Sequence, residues 1–252
     1  MTGNAGLDMR DRNVPGRPAK KRHWWRWILA SVVVLTVLVV LAGAIFVRLQ
    51  ASAPPLVLAG GPAAAPAGPV DGAWAAAAGS VAGFRVRETA LGMSNDVTGR
   101  TDALTGTIVI SRGQVTRAVF RIDLASITVA GKTQPQVAQS LDTKEYPGAT
   151  ITLARPVTLR PAFTSGATIA VAATCRLTLR GITQLVTVTI SARRDGTALR
   201  AAGSIPVAFS RWGITEPTGY GIVGSLASHG TAEFLLVLHR DAGAGRGAGK
   251  VG

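Results

Sequence analysis

Few side chains in this sequence can do chemistry, and those that can are scattered. Histidine occurs at positions 23, 229 and 239 only. His23 precedes a long apolar run, His229 sits in a Ser-His-Gly stretch that reads as a turn, and His239 ends an alternating segment, so a histidine triad or metal site lacks parts. No carboxylate pair has a spacing that argues for acid/base work. Cys175 is the single cysteine. It falls on an apolar face and reads as a small buried hydrophobe, with no intrachain disulfide open to it. Arg176 and Arg180 share a strand face that would suit a phosphate, although solvent-facing arginines are the commoner case. Trp212 and Tyr220 stand in a Gly-rich stretch, 211–228, that reads as a loop at one end of the fold, with the aromatics plugging it. These residues fit binding and not catalysis, and neither a metal nor a cofactor is expected.

The elements that must position them are strands. In 169–179, Ile169, Val171, Ala173, Cys175, Leu177 and Leu179 alternate with polar or small residues, the period of a sheet with one buried face. Ala118, Phe120, Ile122 and Leu124 repeat the pattern, as do Val186, Val188, Ile190 and Ala192, and then Ala232, Phe234, Leu236 and Leu238. Turn signals separate these runs at Ser111-Arg112-Gly113, Ser165-Gly166, Arg180-Gly181, Arg194-Asp195-Gly196 and Ser228-His229-Gly230. Asp195-Gly196 is the best candidate for a type I′ hairpin, since both residues tolerate positive φ. About eight strands between Phe84 and Leu238 suit a closed barrel or a sandwich. The segment 130–145 instead predicts a short helix in a long connection. Ala118, Ala170, Ala172, Ala173 and Ala192 leave room for an internal cavity, while the pattern leaves open which strand face points inward.

The apolar run 27–47 contains no charge and matches the about 20 residues that cross a bilayer as a helix. Seven basic residues against Asp8 and Asp11 precede it, and Arg48 is the only basic residue between the run and Arg85, which predicts a cytoplasmic N-terminus. Trp24, Trp25 and Trp27 mark the cytoplasmic interface. Ala51-Ser52-Ala53 resembles a signal-peptide cleavage site, but the run is longer than a signal core, so a retained anchor is expected. The formal charge of +14 divides into +6 for residues 1–50, +6 for 70–241 and +2 for the tail. Much of it is therefore a topology signal, and nucleic-acid binding is not expected. The organisation read from the chain is a basic cytoplasmic arm (1–26), a transmembrane helix (27–47), an Ala/Pro-rich linker acting as a semi-rigid stalk (48–70), a β domain (71–241) and a disordered tail (242–252).

One further pattern is specific. Leu177-Thr178-Leu179-Arg180-Gly181-Ile182-Thr183 is similar to the strand-turn-strand signature of the YceI-like domain family, also described as polyisoprenoid-binding. Trp74 with Ser80, Phe84 and Val86, the run Asp123-Leu124-Ala125-Ser126-Ile127, Leu141-Asp142 ahead of Tyr146-Pro147-Gly148-Ala149-Thr150, and Trp212-Gly213-Ile214 follow in the family's order. The resemblance spans most of 74–239. It departs at Gly79, Lys132-Thr133, Leu185 and Arg211, where the family often carries His, Arg-Asp, Pro and Asp, so ligand identity is not inherited. The resemblance implies an all-β, antiparallel, lipocalin-like eight-stranded barrel with an elongated apolar cavity for a long-chain isoprenoid or other lipid. On that basis the expected ligand-binding residues are Phe84, Val86, Phe120, Ile122, Val171, Leu177 and Trp212. The expected function is a non-catalytic, membrane-anchored, extracytoplasmic lipid-binding barrel. The alternative is a cell-envelope structural or protein-interaction module with a filled barrel.

Overall fold

The computed structural model describes residues 32–38, 52–61, 63–90, 93–215 and 224–241. Residues 32–38 are helical with exposed apolar side chains. The rest of the 27–47 run, the basic arm, Tyr220 and the tail from 242 lie outside the described residues. No helix among the described residues is long and apolar enough to cross a membrane.

From residue 72 the alternating pattern becomes antiparallel sheet. The strands are β1 (Gly72–Ala76), β2 (Val81–Ala90), β3 (Met93–Thr101), β4 (Leu104–Ser111), β5 (Gln114–Asp123), β6 (Thr128–Val129) and β7 (Lys132–Thr133). They continue with β8 (Gly148–Leu153), β9 (Val157–Thr158), β10 (Ile169–Leu179), β11 (Ile182–Asp195), β12 (Ala198–Ala208) and β13 (Gly224–Arg240). The expected short helix is present as α1 (Pro135–Leu141), and a single helical turn, α2 (Pro161–Thr164), lies at the opposite end. Eight strands close a barrel in the order β1-β4-β5-β8-β10-β11-β12-β13, with β13 returning to β1.

Closure depends on β13. One of its edges pairs with β12, and the other pairs with β2 over Gly224–Leu235 and with β1 over Leu238–Arg240. Between those two partners the backbone of Val237 would face a gap. Ser80, 3% exposed, fills it: its Oγ donates to Val237 O at 3.1 Å and accepts from Val237 N at 3.0 Å, while Ala77 N donates to Val237 O at 2.9 Å. A side chain thus replaces a missing ladder residue, which a buried backbone amide requires.

Turn chemistry sets the hairpins. Arg112-Gly113, Ala130-Gly131 and Arg180-Gly181 each have positive φ at both central residues, the type I′ condition. Asp195-Gly196 departs from expectation. Asp195 pairs with Ala198, so Gly196 and Thr197 form the turn, with Gly196 at φ +61 in the first position as in a type II′ turn. Ser228-His229-Gly230 is not a turn either. It lies inside β13, where the register shifts between Leu226 and Gly230, so a bulge absorbs the residues that mimic a turn signal.

The Ala/Pro-rich segment also departs from expectation: residues 52–61 and 63–70 are not a free stalk but lie along the barrel wall. Prolines carry no N–H, so the segment cannot present an unbroken row of donors, and many of its carbonyls are met by side chains of the wall. The barrel supplies arginines. Arg85 donates to Ala53 O (2.8 Å), Arg100 to Pro54 O (3.3 Å), Arg193 to Gly61 O (3.1 Å), and Arg194 to Ala67 O (2.8 Å) and Gly68 O (2.6 Å). Arg240 donates to Pro69 O and Asp71 O. Beneath the start of the strap, Glu233 is 7% exposed and accepts from Arg85 (2.8 Å), Arg100 (2.7 Å) and Leu56 N (3.3 Å). Gly83 pairs with both Glu233 and Arg100 across neighbouring strands, and only a residue without a Cβ lets the Arg100 side chain fold over it.

Replacing Ser80 by Ala should orphan the Val237 N–H, while Val237 O keeps Ala77 N, and lower stability by about 1–3 kcal/mol in urea denaturation. Asp195 gives a pH-dependent test. Its carboxylate accepts from Ala64 N (2.9 Å) and from Arg200 (2.5 Å), which together hold it below the usual carboxylate range. A depressed folded-state pKa contributes stability above the unfolded value, about 3.9, and loses it as pH falls through the folded value. The advantage of the native chain over Asp195→Asn, read from denaturation midpoints, should be present at pH 6 and shrink below about pH 4.

Candidate functional site

The inward faces of the ring strands are the apolar ones, a choice the alternation alone left open. They surround a cavity of about 310 Å³. It extends from Leu159 and Phe163 near α2 to Leu141, Leu179 and Ile214 at the α1 end. Apart from Arg200, Thr231 and Glu233, the lining residues are apolar or glycine, and the Glu233 and Arg200 side chains are engaged with Arg85, Arg100, Leu56 N and Asp195. Two apolar clusters form the core, one toward each end, and Ile122, Ile151 and Phe234 pack against both. Such a space falls in the range of small-molecule sites, about 300–1,000 Å³, and its lining suits a ligand recognised by burial.

Three pairings keep the cavity from being filled. Phe84 lies directly across from Gly99, Phe120 from Gly106 and Phe234 from Gly203. A Cβ on any of the three glycines would overlap the facing ring. Each ring is therefore laid along the wall over a bare backbone, where it covers the glycine and leaves the lumen open. Alanines at 118, 173 and 192 add to the space. Ala170 and Ala172, expected to do the same, point outward and are exposed. At Gly203 a Cβ would stand 2.5 Å from Phe234 Cζ and 2.7 Å from Thr189 O. Gly203→Ala should therefore lower stability by about 1–3 kcal/mol in chemical denaturation and reduce uptake of an apolar fluorescent probe, because the ring must swing into the lumen.

Of the expected site residues, Phe84, Val86, Phe120, Ile122, Val171 and Leu177 line the cavity. Trp212 does not. It is 1% exposed in the 3₁₀ turn Phe209–Trp212 that follows β12, packed into the core cluster of that end, with Arg211 above its ring at 5.7 Å. Cys175 does line the cavity, and burial pushes its thiol pKa up, which keeps it protonated and poorly nucleophilic. His229 and His239 are exposed. Arg176 is exposed on the outer wall while Arg180 sits in the β10–β11 turn, so the two do not form one site. Among the described residues no group of His, Cys, Asp or Glu is arranged to hold a metal ion. The Phe–Gly pairs, the Ser80 joint and the Glu233 network were not anticipated, because each depends on strand register.

Comparison with curated proteins finds no match. Among solved structures, a polyisoprenoid binding domain from Saccharophagus degradans implicated in plant cell wall breakdown shares the fold, with a TM-score of 0.50 and 18% identity, covering 67% of this chain and 98% of that one. Burkholderia cenocepacia BcnA matches with a TM-score of 0.44 and 22% identity, covering 61% of this chain and 95% of its own. The model of the YceI-like domain matches residues 75–231, more than half of the sequence and nearly all of the barrel, and the chain belongs to that family.

Proposed function

We propose that the protein is a membrane-anchored, extracytoplasmic barrel that binds a polyisoprenoid-type amphiphile without acting on it chemically. The observation that carries this reading is the apolar cavity of about 310 Å³, running between the two ends of the barrel. Its polar groups are too few and too scattered to recognise a polar solute, whereas a flexible hydrocarbon chain gains about 25 cal/mol for each Å² of apolar surface it buries, before the costs of binding. The name of the Saccharophagus degradans domain, a polyisoprenoid binding domain of the same fold, supports the same ligand class. The cavity counts against the filled-barrel alternative.

Anchorage rests on the sequence: an uncharged apolar run at 27–47 behind a basic flank, which orients the N-terminus to the cytoplasm and the barrel outside. A tethered barrel in that position would hold or ferry a lipid beside the bilayer that contains it. Five of the barrel's arginines are engaged with the strap, which reduces the basic surface open to nucleic acid.

Solvent extraction of the full-length chain, purified from membranes, followed by mass spectrometry should recover a long-chain lipid. Ala173 is 2% exposed and lines the cavity, so Ala173→Phe should fill it, retain the fold and lose the lipid. A native chain that is reproducibly free of lipid, or a variant that retains it undiminished, would refute the proposal.

A further inference from the structure

The strap has a direction along the wall. At its start, Ser52 Oγ donates to Asn95 Oδ1 (3.1 Å) and to Asp96 O, and Ala53 N donates to Thr98 Oγ1 (3.1 Å), all on β3. At its far end, Ala64 N donates to Asp195 Oδ1 (2.9 Å) and Ala67 N to Gly196 O (3.0 Å) in the β11–β12 turn, which lies beside α2 through the hydrogen bond from Arg194 to Thr164 O (3.3 Å). The start is at the opposite end of the barrel. Successive antiparallel pairings from β11 through β12, β13 and β2 to β3 put the first residues of β11 and β3 at one end, the α1 end. Only residues 48–51 lie between Ser52 and the apolar run that ends at Val47, and an extended chain covers at most about 18 Å over that stretch.

The same end carries an unusual surface. Among the described residues from 52 onward, the exposed large apolar side chains are Val57, Ile182 and Leu185, and Ile182 (39% exposed) and Leu185 (60%) both stand at the start of β11. Arg176 is the cross-strand partner of Leu185. Arg211 Nη2 donates to Gln184 Oε1 (3.1 Å), and Gln184 Nε2 donates to Arg211 O (3.4 Å). Both arginines are exposed. Apolar tips flanked by arginines suit a bilayer surface, where the tips enter the acyl boundary, the arginine stems lie along it and the guanidinium heads stay among the phosphates.

We propose that the rim formed by Arg176, Ile182, Leu185 and Arg211 docks on the bilayer, so that the barrel stands with its α1 end against the membrane. The inference rests on the anchored reading of the chain and adds an orientation to it. Two independent observations meet at this end: the docked strap delivers the chain from the anchor there, and the exposed apolar side chains of the barrel are there. Bound to the wall, the strap adds no reach, so the short stretch before Ser52 keeps the rim within range of the lipid.

The full-length chain, reconstituted in vesicles of phosphatidylcholine and phosphatidylglycerol, tests the proposal with one fluorescent label, placed either at Thr183→Cys in the rim or at Ser165→Cys beside α2. Both positions are exposed, while Cys175 is buried and stays unlabelled. A quencher carried on the lipid acyl chains should strongly quench the label at 183 and leave the label at 165 close to its value in quencher-free vesicles. Adding Ile182→Thr and Leu185→Thr should weaken docking by roughly 10- to 100-fold, the share of two apolar side chains returned to water, and remove most of the quenching at 183. An unchanged melting temperature verifies that the barrel of this variant is intact. When the chain stays with the vesicles through an alkaline wash, equal quenching at the two positions, none at either, or quenching at 183 that survives the double variant would overturn this inference while the anchored reading stands. A chain that washes off the vesicles would overturn both.

Discussion

An unbroken ring of backbone hydrogen bonds underlies everything else in this domain. Eight antiparallel strands satisfy one another's N–H and C=O groups around the circuit, so the wall leaves the interior no polar debt to settle. β13 makes the ring possible by serving three neighbours, and the Ser80 hydroxyl mends the one place where β1 stops before β2 begins. With the backbone paired within the wall, the inward face can be apolar and the enclosed space can remain empty of protein. An open sheet of the same residues would have to cover an edge as well as a core.

A ring of eight strands has about the diameter at which side chains can either fill the interior or spare room for a ligand. Here the balance is set by pairs and not by composition. Large rings at Phe84, Phe120 and Phe234 would block the lumen if they stood upright, but each has a glycine directly opposite and lies down upon it. The domain thereby keeps the burial energy of three aromatics while spending little of its internal volume on them.

Charge is distributed by the same economy. A basic excess first suggests an anionic partner, yet Arg85, Arg100, Arg193, Arg194 and Arg240 all donate to carbonyls of the segment that precedes the barrel. Prolines interrupt the run of backbone donors in this segment, so it cannot pair with the wall as a continuous ladder. Arginine side chains overcome this by reaching across from the wall, and Glu233 balances two of them where they are least exposed. Arg180, partly buried at the α1 end, takes no part in the strap and lies 3.9 Å from Asp142.

The sequence by itself determined the strands, their apolar faces, the short helix at 135–141 and the family, because period-two alternation and turn chemistry are properties of neighbouring residues. Six of the seven residues named from the sequence line the cavity, since residues on the apolar face of a barrel strand become its lining. Only the tertiary structure decided which glycine faces which phenylalanine, that Ser228-His229-Gly230 is a bulge, that Trp212 is packed beside the cavity instead of lining it, and that residues 52–61 and 63–70 are a strap. Those features arise between strands far apart in the chain. A one-residue change of register would reassign every pair, and no local pattern records the register or the arginines waiting on the wall for the Ala/Pro-rich segment.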